Sequence, residues 1–422
     1  MGRQLVTRRQ PPMRILFVIQ GYPPDVLAGH EIRCWRTAEG LRARGHQVLV
    51  LTTFLREKGP SMEEGVWRRL RSKFSEDPKA SALKWVGVFR HNRRVFDQCL
   101  REFRPDLICQ WNSDWCTAAF VHHVVDRSRV PVVGVIGGVR PAVPRDLWLH
   151  FCETPARGLL AAAAKRACVG LSALTVPTTP KELRYEYATF NSRFVRHWLR
   201  DREGLKVGRA EVVYGGVDTD AFPARQPNAY ANPPRFLFAG RFDATKDPLT
   251  VLTAAKILQQ QGVALNVTLA EAGSFDLGYR QRVLDCLTEL GGSVEVRTAV
   301  RPEDMPGLLH GHDAFLFTSR WEAWSNALLE AMACGLAPLA NLCGGPDEVL
   351  EEGTNCLLFP HGDPEALAVQ MQRLIAEPEL VARLGQASQQ LVRERFTLGR
   401  YLDGFEALLT EVIASRRQTH HG

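Results

Sequence analysis

Short apolar runs, each closed by a glycine-rich or polar turn, recur along the chain, with longer stretches of helical apolar spacing between them. In the first half, Arg14–Gln20, Gln47–Thr52, Pro105–Trp111, Val130–Ile136 and Leu171–Val176 read as buried strands of a parallel sheet. Helices are predicted from Ala28 to about Arg44, from Val88 to Arg104 as a basic amphipathic helix, and from Lys181 to Arg200. Residues 56–84 are polar and basic and read as a loop. In the second half, strands are predicted at Arg235–Gly240, Leu265–Ala270, Ser293–Thr298, Ala314–Phe317, Leu336–Asn341 and Asn355–Phe359. Helices fall between them from Pro248, over Leu277–Leu290, Pro302–Leu309 and Asn326–Cys334, then from Pro364 onward, the last near Leu398–Ala414. Regular alternation of this kind means doubly wound parallel sheets. Thr219–Pro234 is rich in Pro, Asn and Ala without apolar periodicity, which marks a domain boundary and hinge.

One stretch carries candidate chemistry. Ser325 is placed to cap a helix running from Asn326 to Cys334, with Gly335 just past its end. A helix start at the end of a parallel strand is a ready anion site. Glu322 lies just before the cap, and Glu330 about 7–8 Å further along the axis at 1.5 Å per residue. Two carboxylates beside a bare phosphate would repel it. They fit a ligand whose neutral hydroxyls flank a phosphate, such as a sugar at one end and a ribose at the other.

Composition narrows the class. A chain of 422 residues, 45% hydrophobic and 23% charged, is long enough for two cored domains. No apolar run reaches the roughly 18 residues of a membrane span. Residues 1–12 are basic without a following apolar core, so they read as a disordered extension and not a signal peptide, and the tail from Ser415 reads as loose. Ten scattered cysteines without a Cys-x-x-Cys pair point to reduced thiols in a cytoplasmic protein. The net charge of +7 is uneven: residues 1–210 hold 36 of the 53 Lys and Arg but 19 of the 46 Asp and Glu. Cation–aromatic stretches at Val66–Phe74 and Arg193–Arg200 suit an anionic membrane surface, with the protein peripheral there, and no nucleic-acid motif accompanies them. The first βαβ unit lacks Gly-x-Gly-x-x-Gly, so nicotinamide binding is not indicated. Residues just past strand ends line the crevice of such sheets, which makes Asn112 and Asp114 acceptor-site candidates.

Glu322, seven residues, Glu330, then Ala331-Met332-Ala333-Cys334-Gly335 and later Gly344-Gly345-Pro346-Asp347-Glu348, resembles the donor-site signature of retaining glycosyltransferases of family 4. Gly240-Arg241, four residues, then Lys246 resembles that family's diphosphate clamp; Arg offers a planar fork and Lys a point charge. The resemblance runs from about Met13 to Ala414 and implies an α/β GT-B fold. That fold has two Rossmann-like doubly wound parallel-sheet domains facing across a cleft, with the C-terminal helix crossing back to the first. The implied division is an acceptor-binding domain over 13–218 with helix 398–414, a linker over 219–234 and a donor-binding domain over 235–397.

It further implies a nucleotide-diphosphate-sugar donor as co-substrate, no cofactor and no metal, and a glycan, lipid-linked or small-molecule acceptor. Arg241, Lys246 and the amides of Ser325, Asn326 and Ala327, with Trp324 beside them, would hold the donor phosphates. Glu322 would orient the sugar and Glu330 the ribose; Arg241, Lys246 and Glu322 are the catalytic candidates. Gly29 stands in the loop that approaches the donor phosphates, with Ala28 where the family has a second glycine, and Ala299 and Val300 stand where the base stacks. Gly137-Gly138 occupies the place of the family's first-domain His, so no catalytic His is named; His122, His123 and His150 read as packing or surface residues. A nucleotide-sugar epimerase of the same architecture and a non-catalytic sugar-nucleotide-binding protein are the alternative readings.

Overall fold

The computed structural model describes residues 11–25, 29–72, 82–111, 116–138, 158, 162–163, 165–167, 169–170, 183–225, 230–274, 276–298 and 300–419. It forms two compact units. Unit 1 comprises Met1–Phe190, Arg196–Val212 and Gly404–Gly422, and unit 2 comprises Asn191–Val195 and Val213–Asp403.

Unit 1 is built on an eight-stranded sheet: β1 Arg14–Val18, β2 Gln47–Thr53, β3 Ser61–Glu63, β4 Val66–Leu70, β5 Leu107–Gln110, β6 Val132–Ile136, β7 Arg184–Phe190 and β8 Lys206–Val212. Their order is β3-β4-β2-β1-β5-β6-β7-β8, parallel except for the β3–β4 hairpin. The chain leaves β1 toward β2 on one side and later takes up β5 on the other, so the switch point lies between β1 and β5. Helix Gly29–Ala43 starts there. The strands read as apolar runs because both faces are covered: every residue of β1 after Arg14 is buried.

The last helix, Leu398–Thr419, runs on past the predicted loose point at Ser415. From Gly404 it belongs to unit 1, as the resemblance implies. Phe405 lies against Phe17 and Trp111, ring centroids 6.4 and 6.2 Å away. Glu406 accepts from Arg44 Nη1 at 2.7 Å and from His46 Nε2 at 3.0 Å. His46 Nδ1 accepts the Met13 N–H, which fixes the tautomer that donates from Nε2. Burial would raise the Glu406 carboxyl, but these two donors outweigh it and hold it low.

Unit 2 has six parallel strands: β9 Arg235–Gly240, β10 Asn266–Glu271, β11 Val294–Arg297, β12 Ala314–Phe317, β13 Ala337–Ala340 and β14 Leu357–Leu358. Their order is β11-β10-β9-β12-β13-β14, with the switch point between β9 and β12. Helix ends follow local chemistry. Pro248 opens helix Pro248–Gln260, Asp276 and Asp363 cap the helices after them, and Gly335 ends Asn326–Cys334 at φ +84°.

Two further sequence expectations fail. The helix expected over Lys181–Arg200 is a strand, Arg184–Phe190, followed by helix Arg193–Asp201. Tyr185, Tyr187 and Thr189 alternate at the strand period, and the Tyr185 ring fills the space that Gly134 of neighbouring β6 leaves open. The loop expected over 56–84 contains the β3–β4 hairpin, with Trp67 and Arg68 buried. Arg68 tolerates burial because its guanidinium donates to the carbonyls of Tyr22 and Pro23. The helix predicted from Val88 begins at Ala82. The strand predicted at Leu171–Val176 lies outside the described residues.

Candidate active site

The switch point of unit 2 gathers most of the predicted site. Arg241 follows β9 directly, and the loop from Thr318 to Ser325 follows its neighbour β12. Asp243 organises the first of these turns: its Oδ2 accepts from Arg241 Nε at 2.6 Å, and its Oδ1 accepts the backbone N–H of Thr245 and Lys246 at 2.9 and 3.1 Å. The second turn is tied to the first, since Arg320 N–H donates to Thr245 O at 2.8 Å and Thr318 Oγ1 to Lys246 O at 2.8 Å.

Across this seam Lys246 Nζ contacts Glu322 Oε1 directly, although the two are 76 positions apart. Their side chains are 20% and 13% exposed, so the pair is shielded but reachable. Asp247 follows Lys246 in left-handed backbone, φ +50°, which a short polar residue tolerates. Its carboxylate is held by Tyr279 OH at 2.7 Å and Thr250 Oγ1 at 3.0 Å.

Glu322 sits in a short parallel bridge to Gly344: its N–H donates to Cys343 O at 3.0 Å, and Gly345 N–H donates to its carbonyl at 2.9 Å. Gly344 adopts φ +126°, and a Cβ on Gly345 would lie 1.8 Å from Ala323 O, so this turn requires both glycines. Asp347 Oδ1 accepts from Cys343 N–H and Gly344 N–H at 2.7 and 3.0 Å. The Cys343 thiol beside Glu322 is pushed far above its usual value, by burial first and then by the Glu322 and Asp347 charges.

Ser325 caps helix Asn326–Cys334 by accepting Leu328 N–H at 3.3 Å. The first-turn amides of Asn326 and Ala327 therefore stand at the positive end of this helix, just past β12. Glu330 is half-buried on the same helix, one turn before Cys334, whose thiol burial and the Glu330 charge push up to about 12. The Trp324 indole is buried between Tyr214 and Phe396, centroids 5.2 and 5.6 Å away. Val300 is half-buried against the apolar cluster that includes Leu308 and Phe317. Arg241, Lys246, Glu322, Ser325, Asn326 and Ala327 thus share one end of one sheet, and Glu330 lies further along the helix that starts there. Ala299, Asn112 and Asp114 lie outside the described residues.

In unit 1, Gly29 is the first residue of its helix at the β1–β5 switch point. One turn of that helix brings His30 and Arg33 together, Nδ1 to Nη2 3.2 Å, and a Cβ on Gly137 would meet both at 2.6 Å. The imidazole beside the end of β6 is therefore that of His30, a residue the sequence did not single out. Burial, and then the Arg33 charge, hold it well below its usual value and neutral. A cavity of about 680 Å³ in unit 1 lies at the opposite end of its sheet, lined by Arg42, Gln47, Val48, Gly65 and Trp67. Its Arg42 is engaged by Glu39 and by the carbonyls of Val48 and Gly65, and parallel sheets place ligands at the other strand ends.

Among the described residues no cluster of three or more His, Cys, Asp or Glu could hold a metal, and no helix is long and apolar enough to cross a membrane. None of the eight described cysteines is in a disulfide, and seven of them are buried.

Residues 27–221 match the family described as Glycosyltransferase Family 4, and residues 222–391 the family described as Glycosyl transferases group 1. The D-inositol 3-phosphate glycosyltransferase of Nocardiopsis dassonvillei is 29% identical over 206 residues, 46% of this chain and 48% of that protein. The glycogen synthase of Mycobacterium tuberculosis is 23% identical over 410 residues, 91% of each chain. The chain thus spans about half of the first relative and nine-tenths of the second. Among solved structures, sucrose-phosphate synthase from Thermosynechococcus elongatus superposes with a TM-score of 0.71 at 17% identity, covering 95% of this chain and 99% of that one. HepE of Anabaena in complex with UDP-glucose gives 0.66 at 19% identity, covering 94% and 100%. At such identities the structural likeness shows the fold.

Proposed function

This chain belongs to glycosyltransferase family 4, and we propose that the switch point of its unit 2 is where the diphosphate of the sugar donor is gripped. The enzyme is a retaining glycosyltransferase of GT-B fold that moves a sugar from a nucleotide-sugar donor. Such transfer proceeds through an oxocarbenium-like transition state with charge growing on the departing phosphate.

Arg241, Lys246 and the amides at Ser325, Asn326 and Ala327 supply positive potential where that charge grows. These fixed groups do the work a metal ion does elsewhere, and turnover that persists in EDTA is the expected outcome. Glu322 accepts hydrogen bonds from the sugar hydroxyls, and Glu330 from the ribose. Trp324 contributes through the aromatic cluster that fixes its own segment. Of the remaining assignments, Gly29 goes to the donor phosphates, Val300 and Ala299 to the base, and Asn112 and Asp114 to the acceptor. A uridine diphosphate sugar is the first donor to test, since the Anabaena neighbour holds one.

The observation that carries this reading is the direct meeting of Lys246 and Glu322 at the end of β9 and β12. A cation and a carboxylate at that seam can address a phosphate and the hydroxylated group attached to it. The test is a thermal-shift panel of UDP-glucose, UDP-N-acetylglucosamine, GDP-mannose and ADP-glucose. A ligand at 100 times its dissociation constant adds about 2.7 kcal/mol to stability. A panel in which no member shifts the transition refutes the donor site. Consumption of a donor with no acceptor, yielding an epimer, would turn the assignment to an epimerase. The acceptor is a glycan, lipid-linked sugar or small molecule. The exposed Arg90, Arg93, Arg94 and Arg101 of helix Ala82–Phe103 suit an enzyme that works against an anionic inner membrane face.

A further inference from the structure

Helix Arg193–Asp201 begins with its first three amides satisfied from outside the helix. Glu348 accepts Arg193 N–H at 3.2 Å through Oε2 and Phe194 N–H at 2.8 Å through Oε1. Ser192 Oγ accepts Val195 N–H at 3.2 Å. Ser192 reaches the segment after Glu322 directly, and Glu348 reaches it through Tyr214. Ser192 Oγ donates to Ala323 O at 2.9 Å. Glu348 Oε2 also accepts from Tyr214 OH at 2.7 Å, and the Tyr214 ring lies against Trp324. All these atoms belong to unit 2.

Glu322, Ala323 and Trp324 are therefore held on two sides. Gly344 and Gly345 pair with the backbone of Glu322, and Ser192 and Tyr214 fix the next two residues. A carboxylate with three donors has few other geometries open to it, and it favours the positive end of the helix it caps. Burial, and then the bond to Glu348, push the Tyr214 phenol up to about 12, so it stays a donor at working pH.

We propose that Ser192, Tyr214 and Glu348 are positioning residues for the transfer reaction, which hold the 322–324 segment so that the Glu322 carboxylate stays at the donor sugar. The proposal rests on the role given to Glu322 above.

The experiment is a double-mutant cycle on the full chain, Glu348→Gln with Glu322→Gln. It is read as release of nucleoside diphosphate from the nucleotide sugar of the panel that shifts the transition furthest. Glu348→Gln alone should lower kcat about tenfold and move the donor KM less than about threefold. In the Glu322→Gln background the same change should cost less than about twofold, because the group it positions is already altered. Tyr214→Phe removes one of three donors and should cost less, giving a milder variant if Glu348→Gln folds poorly. Hydrogen exchange over 321–325 should quicken in both variants.

Equal losses in both backgrounds overturn the proposal, as does a lowered melting temperature with kcat unchanged. Unaltered exchange over 321–325 also overturns it. If Glu322→Gln alone leaves turnover intact, the role of Glu322 fails instead.

Discussion

Lys246→Ala tests the donor site where it is most exposed to failure. The ammonium lies against Glu322 with both side chains largely shielded. Removing it has two consequences that the structure separates. The first is on stability, because the Glu322 carboxylate is left without its cation. Exposed pairs contribute about 0.2–1 kcal/mol and fully buried ones lose about 3–5 kcal/mol when one partner goes. With a fifth of the lysine side chain exposed, the loss should be about 1–2 kcal/mol. The second is on catalysis, because a charge-assisted bond to the departing diphosphate is worth about 1.5–3 kcal/mol. At 1.36 kcal/mol per factor of ten, kcat/KM for the donor should fall roughly ten- to hundredfold. Adding Glu322→Gln removes the stranded carboxylate, so the double variant should recover stability and not activity. Arg241→Ala should show a similar catalytic loss, since Asp243 steers its guanidinium toward the same end of β9. The assays are steady-state donor kinetics and urea unfolding on the same preparations. Donor kinetics unchanged in both Lys246→Ala and Arg241→Ala would sink the diphosphate grip.

Gly345→Ala should unfold unit 2 locally or cost at least about 3 kcal/mol, because its Cβ would lie 1.8 Å from Ala323 O; an unchanged urea midpoint contradicts this. Asp313 is fully buried and accepts from Arg225 and Arg235, so Asp313→Asn should cost about 3–5 kcal/mol. Burial alone would raise the Asp313 carboxyl, but the bonds from Arg235 and the nearby Arg225 charge hold it low. A depressed carboxyl stabilises the fold above its unfolded value and loses that contribution as pH falls through the folded one. The gap between wild type and Asp313→Asn should thus be full at neutral pH and shrink below about pH 4; a gap constant to about pH 2 refutes it. The full chain should sediment with anionic liposomes at low salt and leave them near 0.5 M salt, where the Debye length is only about 4 Å; no binding at low salt removes the membrane reading.

What the sequence disclosed, and what it withheld, follows from the range of the forces involved. Caps and turns are local, so Ser325, Pro248 and Gly335 could be placed from their neighbours alone. The meeting of Lys246 and Glu322 could not. It depends on β9 lying beside β12, an ordering that no stretch of either strand encodes. Arg68 was misread for a related reason: cations interleaved with aromatics over Val66–Phe74 suit an anionic membrane surface until the carbonyls of Tyr22 and Pro23 come within reach of this guanidinium. At Arg184–Phe190 the period-two signal was present in Tyr185, Tyr187 and Thr189, and a helix reading ignored it. Glu348 is the most instructive case. Its motif was visible, but its three donors come from positions 193, 194 and 214, and only folding brings them to one carboxylate. A residue that holds another residue leaves no local pattern, because its partners are chosen by the fold. Signature motifs therefore find the groups that meet the substrate more readily than the groups that keep them in place, and here the latter stand within hydrogen-bonding distance of the signature itself.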